Sequence, residues 1–509
     1  MLPEQWFGKI KQRILPQWNM CFLTALVVGL VSHLYKLTNW LPNWDSLVFR
    51  YDAQNMLKIG RWFLPVASAP SSYYDLPFFT GLTALVLFAL GAVCICCMFD
   101  VKKPLTAALI GAAVISFPSV TSVLLYNYIA DAYALSFLLA CVAALLLTRE
   151  KPRMWIAALL IALSVGIYQA YVTVTIMLLL CYLIKTVMRT DITIKTVLKQ
   201  SGIFLASGIA GMVLYYVVLT VLLKVTGTTL LEYQGVSGAA SLSGINLLGS
   251  LYIVKETFVN CFLDFSNGFN VFSVINVTVF VLTAAVYLAE VIKNKLPFLK
   301  IVVWGVLVLL LPVGACALSF INCNVDYHNL MTMGYVVFYL LLILQYEKTA
   351  FRNVKVNVVK QWAILAVVAV LICNQAVIAN VTYHKAQMAY EKSYGLLVRI
   401  ADRIEQTEGT ENCDRILVAG GLPDSEAYSA VLPPDMTGTT DGFILRADDE
   451  IVGQSVLCSA LNDYCGKAYT FVAGEEKQAL LAKAGALQSW PHADAVCVVE
   501  DVIVIKLGE

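Results

Sequence analysis

Long apolar runs recur along most of this chain, and they constrain its fold more than any other feature of the sequence. A helix needs about 20 apolar residues to cross a hydrocarbon core of about 30 Å. Hydrophobic residues make up 59% of the chain and the mean hydropathy is +0.75, as in polytopic membrane proteins. We therefore predict an all-α membrane bundle of about eleven spans, near residues 20–37, 77–98, 105–126, 134–148, 154–168, 171–187, 203–223, 270–291, 301–319, 331–346 and 361–379.

The basic residues between these runs fall into alternate loops. Lys and Arg cluster at 9–13, 102–103, 149–153, 185–199, 293–300 and 348–360, whereas the other loops, apart from the first, contain few. Cytoplasmic loops carry an excess of Lys and Arg, so the N-terminus is predicted in the cytoplasm of a multi-pass plasma-membrane protein. Eleven spans then place the segment after the last one outside. Because topology accounts for every basic cluster, nucleic-acid binding has no support. A cleavable signal peptide is not expected either, because no small-residue cleavage site follows the first apolar run.

The composition changes at about residue 380, where a transmembrane domain (1–380) gives way to a polar segment (381–509). Apolar residues at helical spacing predict a helix over 386–406. Runs at 415–419, 495–499 and 502–505 predict strands, and the turn at Glu500-Asp501 makes a hairpin of the last two. We expect a small exoplasmic α/β domain that is large enough for a core of its own.

Four cysteines lie in this predicted outside domain, at Cys413, Cys458, Cys465 and Cys497. Disulfides are permitted outside the cell, and four cysteines allow three pairings among which the sequence does not choose. Free thiols are the alternative. A zinc site is disfavoured because no histidine accompanies the cysteines at a zinc-like spacing.

Two carboxylates, Asp45 and Asp52, lie in the first part of the first outside loop, residues 38–76, shortly after the first span. Charged residues close to lipid are costly and usually have a function. If residues 43–59 form a helix along the membrane surface, Asp45 and Asp52 share one face of it. Gly60 would end that helix, with the cation of Arg61 beyond it. A solvated amphipathic loop is the alternative interpretation.

The second outside loop contributes a single acid, Asp131, between aromatic residues. No cation is close to it in the sequence, so its expected partners are Arg50, Lys58 and Arg61 of the first loop. A structural salt bridge and a catalytic part remain equal alternatives.

The remaining candidates come from three further loops. Tyr168 and Gln169 interrupt the apolar run between the fifth and sixth spans, where they would bind sugar hydroxyls or cap a helix break. Lys255 lies in the fourth outside loop. His328 follows Asp326 in the fifth, where it would bind a phosphate or cap a helix.

Acids from three outside loops and cations from three therefore surround one face of a helical bundle. Such a site suits transfer from a phosphate-linked donor, because a carboxylate accepts the proton of an acceptor hydroxyl and cations offset charge on the leaving phosphate. Mg²⁺ or Mn²⁺ would fit carboxylates near a phosphate, but the acids are spread over separate loops, so no obligatory cofactor is expected. A flippase or transporter of lipid-linked saccharides is the main alternative, although it needs a polar path through nearly uncharged spans. A non-catalytic surface scaffold is the third.

The early Asp45, the Gly60-Arg61-Trp62 motif, the Asp131 loop and Tyr168-Gln169 resemble the bacterial glucosyltransferase II family. The resemblance covers roughly residues 20–380. Members of this family are polytopic enzymes of the GT-C class, related to O-antigen glucosyltransferases. The resemblance implies a GT-C-like fold and transfer of glucose or a similar hexose, with inversion or retention, from a polyprenyl-phosphate sugar to a surface glycan outside the membrane.

The resemblance also implies roles for the candidate residues. Asp45 is expected to be the base and Asp131 the second acid, while Asp52 and Asp131 hold the geometry or a divalent cation. Lys58, Arg61 and His328 are expected to contact the lipid phosphate, although His328 stands where we expected an arginine. Residues 381–509 lie outside the shared motifs, so we predict an accessory role for them: covering the site, selecting the acceptor or stabilising the bundle. The substrate-binding set comprises Lys58, Arg61, Trp62, Tyr168, Gln169, Lys255 and His328.

Overall fold

The structure is a computed structural model that describes residues 2–50, 52–231, 246–263, 271–321, 325, 327–348, 353–421, 447–450, 453–485 and 487–508. The transmembrane part contains α1 Pro3–Arg13, α2 Pro16–Thr38, α3 Trp44–Val48, α4 Leu64–Ser68, α5 Pro77–Met98, α6 Pro104–Ile115, α7 Pro118–Leu125, α8 Ala130–Leu147, α9 Met154–Ile167, α10 Val172–Val187, α11 Ile194–Thr226, α12 Leu247–Phe262, α13 Val271–Asn294, α14 Phe298–Ala315 and α15 Val336–Tyr346. Then come α16 Val354–Gln406, β1 Arg415–Ala419, α17 Cys458–Cys465, β2 Thr470–Phe471, α18 Gly474–Ala484, β3 Val496–Val499 and β4 Val502–Lys506.

The prediction of a helical, membrane-type bundle is confirmed. In the described parts of the chain, eight helices are long and apolar enough to cross a membrane, or nine if α6 and α7 form one bent span. Every predicted span overlaps a helix. The number eleven is not confirmed, because two of the predicted spans fall on shorter apolar helices, Met154–Ile167 and Met333–Tyr346.

Proline defines where several of these helices begin. Pro16, Pro77, Pro104 and Pro118 are the first residues of α2, α5, α6 and α7, a position at which the missing N–H leaves no helical hydrogen bond unmade. At Pro118 the preceding helix ends and the direction changes by 43°, because the residue before a proline avoids the helical conformation.

The predicted cytoplasmic loops meet at one end of the bundle. The Glu347 carboxylate accepts from the backbone N–H of Lys102 at 2.8 Å, and the Lys300 ammonium donates to the Arg189 carbonyl at 2.6 Å. The candidate site segments lie at the opposite helix ends. This separation agrees with the alternation of basic loops, while the side of the membrane that each end faces stays a prediction.

The predicted α/β character of the C-terminal domain is confirmed. Helix α16 continues without interruption from the last apolar run into this domain and covers the predicted helix 386–406. The sheet order is β2-β1-β4-β3, with β1 parallel to both neighbours and β3 antiparallel to β4, as the predicted hairpin requires. The two-residue strand β2 was not predicted. The four cysteines of this domain are free thiols.

The predicted helix over residues 43–59 is wrong. Only α3, Trp44–Val48, is helical there, and a separate 3-10 turn, Leu57–Ile59, follows. The Asp52 carboxylate accepts from the backbone N–H of Gln54 at 2.7 Å, and Gln54 itself has a positive φ of 55°. Such a local side-chain bond competes with helical hydrogen bonds. Asp45 and Asp52 therefore do not share a helix face, although Gly60 ends the 3-10 turn with φ 82°, as predicted.

Candidate active site

Helix α3 presents Asp45 from a rigid support. Its N-cap is Asn43, whose side-chain oxygen accepts from the Ser46 backbone N–H at 2.9 Å. Ser46 and Leu47 face inward and are buried, whereas Asp45 and Val48 are exposed. Leu47 does not pack into the transmembrane core but into the C-terminal domain, in one cluster with α16, β1 and α17. The candidate base is therefore held between the C-terminal domain and the bundle, because the Asn43 amide also donates to the Leu125 carbonyl of α7 at 3.4 Å.

Asp45 lies at the protein surface, in surroundings that shift the pKa of its carboxyl. Its side chain is accessible to solvent, yet enough protein surrounds it for burial to raise the pKa of its carboxyl above the ordinary value. The positive charge of Arg61 acts in the opposite direction and lowers that pKa. The structure thus brings Asp45 and Arg61, sixteen positions apart in the sequence, into one electrostatic environment.

Arg61 lies over a pair of stacked aromatic rings. Its guanidinium carbon is 4.9 Å from the ring centre of Tyr168 and 5.9 Å from that of Tyr133. The two rings stack with their centroids 4.3 Å apart at an angle of 8°. A planar guanidinium is held well by such faces. Tyr168 was among the predicted site residues, but Tyr133 was not. Its position in the first turn of α8 could have indicated that it lies near the site.

The segment around Arg61 is fixed to the transmembrane helices on both sides. The Gln169 side-chain amide donates to the Ile59 carbonyl at 2.8 Å, and the Tyr215 hydroxyl donates to the Gly60 carbonyl at 3.0 Å. The Phe63 backbone N–H donates to the Gly166 carbonyl at 2.8 Å. The Gln169 amide therefore binds the backbone of the Arg61 segment and does not point into the site. Tyr215 of α11 also binds this segment, and the sequence did not predict that contact.

Trp62 packs directly on Gly166 of α9. A methyl group at Gly166 would lie 2.8 Å from Trp62 Cε2, closer than side chains approach each other. The indole also stacks against Tyr215, with centroids 6.5 Å apart. The predicted substrate-binding role of Trp62 is therefore not tested by the structure, which gives this residue a packing role.

Asp131 is buried at the start of α8, with 3% of its surface exposed. Its carboxylate accepts from the Ala132 backbone N–H at 2.8 Å and interacts with the Ser71 hydroxyl. The prediction that it pairs with Arg50, Lys58 or Arg61 is wrong, since no ion pair to Asp131 is found among the described residues. An acid in the first turn of a helix is stabilised by the helix dipole without a cation.

The other two charged candidates of the first loop lie apart from Asp45 and Arg61. Asp52 lines a polar pocket toward the C-terminal domain. Lys58 is exposed, and its carbonyl accepts from the Leu231 backbone N–H at 2.9 Å. Within the described ranges, the Lys58 ammonium forms no ion pair. Their roles in donor binding and geometry stay predictions.

Two candidates come from more distant elements. Lys255 on α12 is exposed and pairs with Glu256 at 3.2 Å, so in the described part of the chain nothing joins it to Asp45 or Arg61. His328 is partly buried and directly precedes the 3-10 turn Asn329–Met331. Asp326 lies outside the described residues.

A buried polar network at the start and end of the first loop was missed altogether. The Lys36 ammonium donates to the Leu41 carbonyl at 3.0 Å, and Asn127 donates to the Asp75 carboxylate and to Thr80. Burial raises the pKa of Asp75, and the charge of Lys36 opposes this. Lys36, a lone lysine near the end of the first apolar run, could have indicated this network, because charges in spans are seldom retained without a role.

Metal binding has limited support from the geometry. Over the residues that the structure describes, no group of three or more His, Cys, Asp or Glu side chains is placed to hold a metal ion. Asp45, Asp52 and Asp131 are held by three different environments. Metal dependence therefore stays a prediction to be tested.

Comparison with known proteins places this geometry in a family. The family model described as Glucosyl transferase GtrII matches residues 34–345, more than half of the chain, and this range contains every candidate site residue. No curated protein matches the chain, and no solved structure does. The family match and the apolar helices together indicate a membrane glycosyltransferase. The chain belongs to the glucosyl transferase GtrII family.

Proposed function

We propose that this protein transfers glucose or a similar hexose from a polyprenyl-phosphate donor to a glycan outside the plasma membrane. The observation that carries the proposal is an accessible carboxylate, Asp45, on which the positive charge of Arg61 acts, at the helix ends opposite the basic loops. One group removes a proton and the other stabilises an anion. These are the two requirements of glycosyl transfer from a phosphate ester.

In the proposed step, an acceptor hydroxyl oxygen bonds to the anomeric carbon of the hexose while the bond from that carbon to the phosphate oxygen breaks. Asp45 takes the hydroxyl proton as general base. Its raised pKa makes the carboxylate a stronger base than an ordinary aspartate. The electron pair leaves with the polyprenyl phosphate, and this single displacement inverts the anomeric carbon.

Arg61 is proposed to bind the departing phosphate. A guanidinium offers a planar fork of donors that matches two phosphate oxygens. The rings of Tyr168 and Tyr133 hold that fork in orientation from one side. Lys58 and His328 are proposed as further contacts to the phosphate, and Asp131, buried beside this segment, as a positioning acid.

The proposal assigns no obligatory metal to the reaction, since Arg61 supplies the positive charge that a divalent cation would otherwise supply. Activity that persists in EDTA is the expected result. Complete loss in EDTA that Mn²⁺ or Mg²⁺ restores would contradict it.

The test is transfer by the purified full-length protein in detergent, with polyprenyl-phosphate glucose and envelope glycan as substrates. Asp45→Asn is expected to lower the rate by about 10²–10⁴-fold. Asp191→Asn is the matched control, because Asp191 is exposed among the basic loops at the other end of the bundle. Full transfer by a folded Asp45→Asn protein would eliminate its role as base. Movement of donor across sealed vesicles without covalent product would instead indicate a transporter.

A further inference from the structure

A polar pocket of about 310 Å³ lies between the first outside loop and the C-terminal domain. Leu47, Val48, Arg50 and Asp52 form one wall, and Ser459, Asn462 and Asp463 form the other. Neither domain encloses this space alone. The family match ends at residue 345, so half of the pocket belongs to the part of the chain that the family model does not cover.

The wall from the C-terminal domain is one face of helix α17. Ser459, Asn462 and Asp463 follow the i, i+3, i+4 spacing that places side chains on the same face of a helix. Cys458 and Leu461 occupy the opposite face and are buried in the domain core. The polar face therefore lies outside the core contacts of α17.

The contact between the two walls is specific. Arg50 donates to the Asp463 carboxylate at 2.9 Å and lies over the Trp40 ring at 4.8 Å. The Trp40 indole N–H donates to the Tyr464 hydroxyl at 2.8 Å. These bonds fix the position of α17 relative to the loop, so that the pocket keeps its shape.

The chemistry of the lining indicates an uncharged ligand. One arginine and two aspartates line the pocket, and Arg50 already pairs with Asp463, which leaves one carboxylate charge. The remaining negative charge repels anions. A single carboxylate outside the ion pair is also too few charged oxygen ligands for a metal cation. Hydroxyl and amide groups remain as the main donors and acceptors, as sugar hydroxyls require.

Asp45 does not line the pocket but lies on the same helix as Leu47 and Val48, which do. Asp45 lies three positions before Val48 on the same exposed face of α3, roughly 5 Å along the helix axis. A ligand in the pocket would therefore extend toward the carboxylate that is proposed to deprotonate the acceptor.

We propose that this pocket is an acceptor subsite that binds a neutral, hydroxyl-rich sugar of the glycan and presents the next hydroxyl to Asp45. The inference rests on the proposed function, because it presumes that Asp45 serves a glycan acceptor. It assigns the C-terminal domain a direct part in choosing that acceptor.

The first experiment compares two double variants of the full-length protein. Ser459→Ala with Asn462→Ala is expected to raise KM for envelope-glycan oligosaccharides about tenfold, with kcat and the KM for donor unchanged, because the contacts that are removed stabilise the ground state and the transition state equally. Asn412→Ala with Ser489→Ala changes the same residue types elsewhere in the domain and is expected to leave all three constants unchanged. An unchanged acceptor KM, or a lowered kcat alone, in the folded pocket variant would overturn the inference.

The second experiment measures binding without turnover. Short neutral glucan oligosaccharides and oligogalacturonates of the same length are offered to the wild-type protein, with saturation-transfer NMR as the readout. Binding of the neutral series that the pocket variant loses is expected. Equal or stronger binding of the acidic series would overturn the inference. Wild-type protein that binds neutral sugars but transfers no hexose would contradict the proposed function and leave the pocket assignment standing.

Discussion

Both halves of the first outside loop contact the helical bundle, and the first half also packs on the C-terminal domain. Arg61 and its neighbours are bonded to the transmembrane helices, through Gln169, Tyr215 and Gly166. Asp45 lies on a helix whose buried residue, Leu47, belongs to the core of the C-terminal domain. The distance between the proposed base and the proposed phosphate-binding cation therefore depends on how the C-terminal domain sits on the bundle.

From this difference we propose that a single loop serves two substrates. The half fixed to the bundle would bind the lipid-linked donor, which arrives from the membrane. The half fixed to the C-terminal domain would meet the acceptor glycan. Variants of the two halves should consequently separate donor constants from acceptor constants.

Among the variants that separate the two halves of the loop, the largest effect is expected for Arg61→Met. Removing a cation that stabilises the leaving phosphate should lower kcat/KM for the donor by about 10²–10³-fold. Arg399→Met is the matched control, since Arg399 also lies over an aromatic ring, Trp490 at 5.3 Å, but in the C-terminal domain. Steady-state kinetics with polyprenyl-phosphate glucose measure both. Equal losses in the two variants would remove the special role of Arg61.

The second effect tests the other half of the loop. Leu47→Ala should loosen α3 on the C-terminal domain and displace Asp45, with about a 10²-fold loss of transfer and unchanged donor binding. Leu480→Ala is the control, because both leucines are 3% exposed and pack against the C-terminal domain, but in different clusters. Each truncation should lower the free energy of unfolding by about 2–5 kcal/mol, which thermal melting in detergent compares. Equal transfer by the two variants would show that α3 does not depend on this anchor.

A smaller effect is expected for Gly166→Ala. The added methyl would lie 2.8 Å from Trp62 Cε2 and push the Arg61 segment outward, which should lower kcat/KM for the donor roughly tenfold. Gly208→Ala on α11 is the control, because nothing lies within 4 Å of a methyl group there. If Gly166→Ala changed the acceptor KM instead, the division of the loop between two substrates would be wrong.

The smallest effect is a displacement of the pH profile. Asp45 must be ionised to act as base, and burial raises its pKa, so kcat/KM should fall with decreasing pH at a higher pH than an ordinary aspartate predicts. Arg61 holds that pKa down, so the residual activity of Arg61→Met should fall at a still higher pH. Arg399→Met should keep the wild-type profile. A displacement toward lower pH in Arg61→Met would contradict the coupling of the two residues.

Much of the fold could be predicted because it follows from local patterns. Apolar length located the long helices of the bundle but not α12, and prolines at helix starts mark boundaries that depend on one or two residues. Strand β1 and the β3–β4 hairpin follow from short β-branched runs around a turn. The prediction of a helix over 43–59 failed because the Gln54 backbone N–H donates to the Asp52 carboxylate, and this local bond competes with helical hydrogen bonds.

Local sequence patterns were sufficient to predict the membrane class, the alternation of basic loops, the C-terminal α/β domain and the motifs that the family shares. The tertiary structure alone decided which candidates meet: Arg61 lies over Tyr168 and Tyr133, Asp131 pairs with no cation in the described ranges, and Leu47 joins the C-terminal core. The physical reason is the range of the interactions. Periodicity and proline act within a few residues, whereas these contacts join residues that are brought together only when packed helices fix their relative positions.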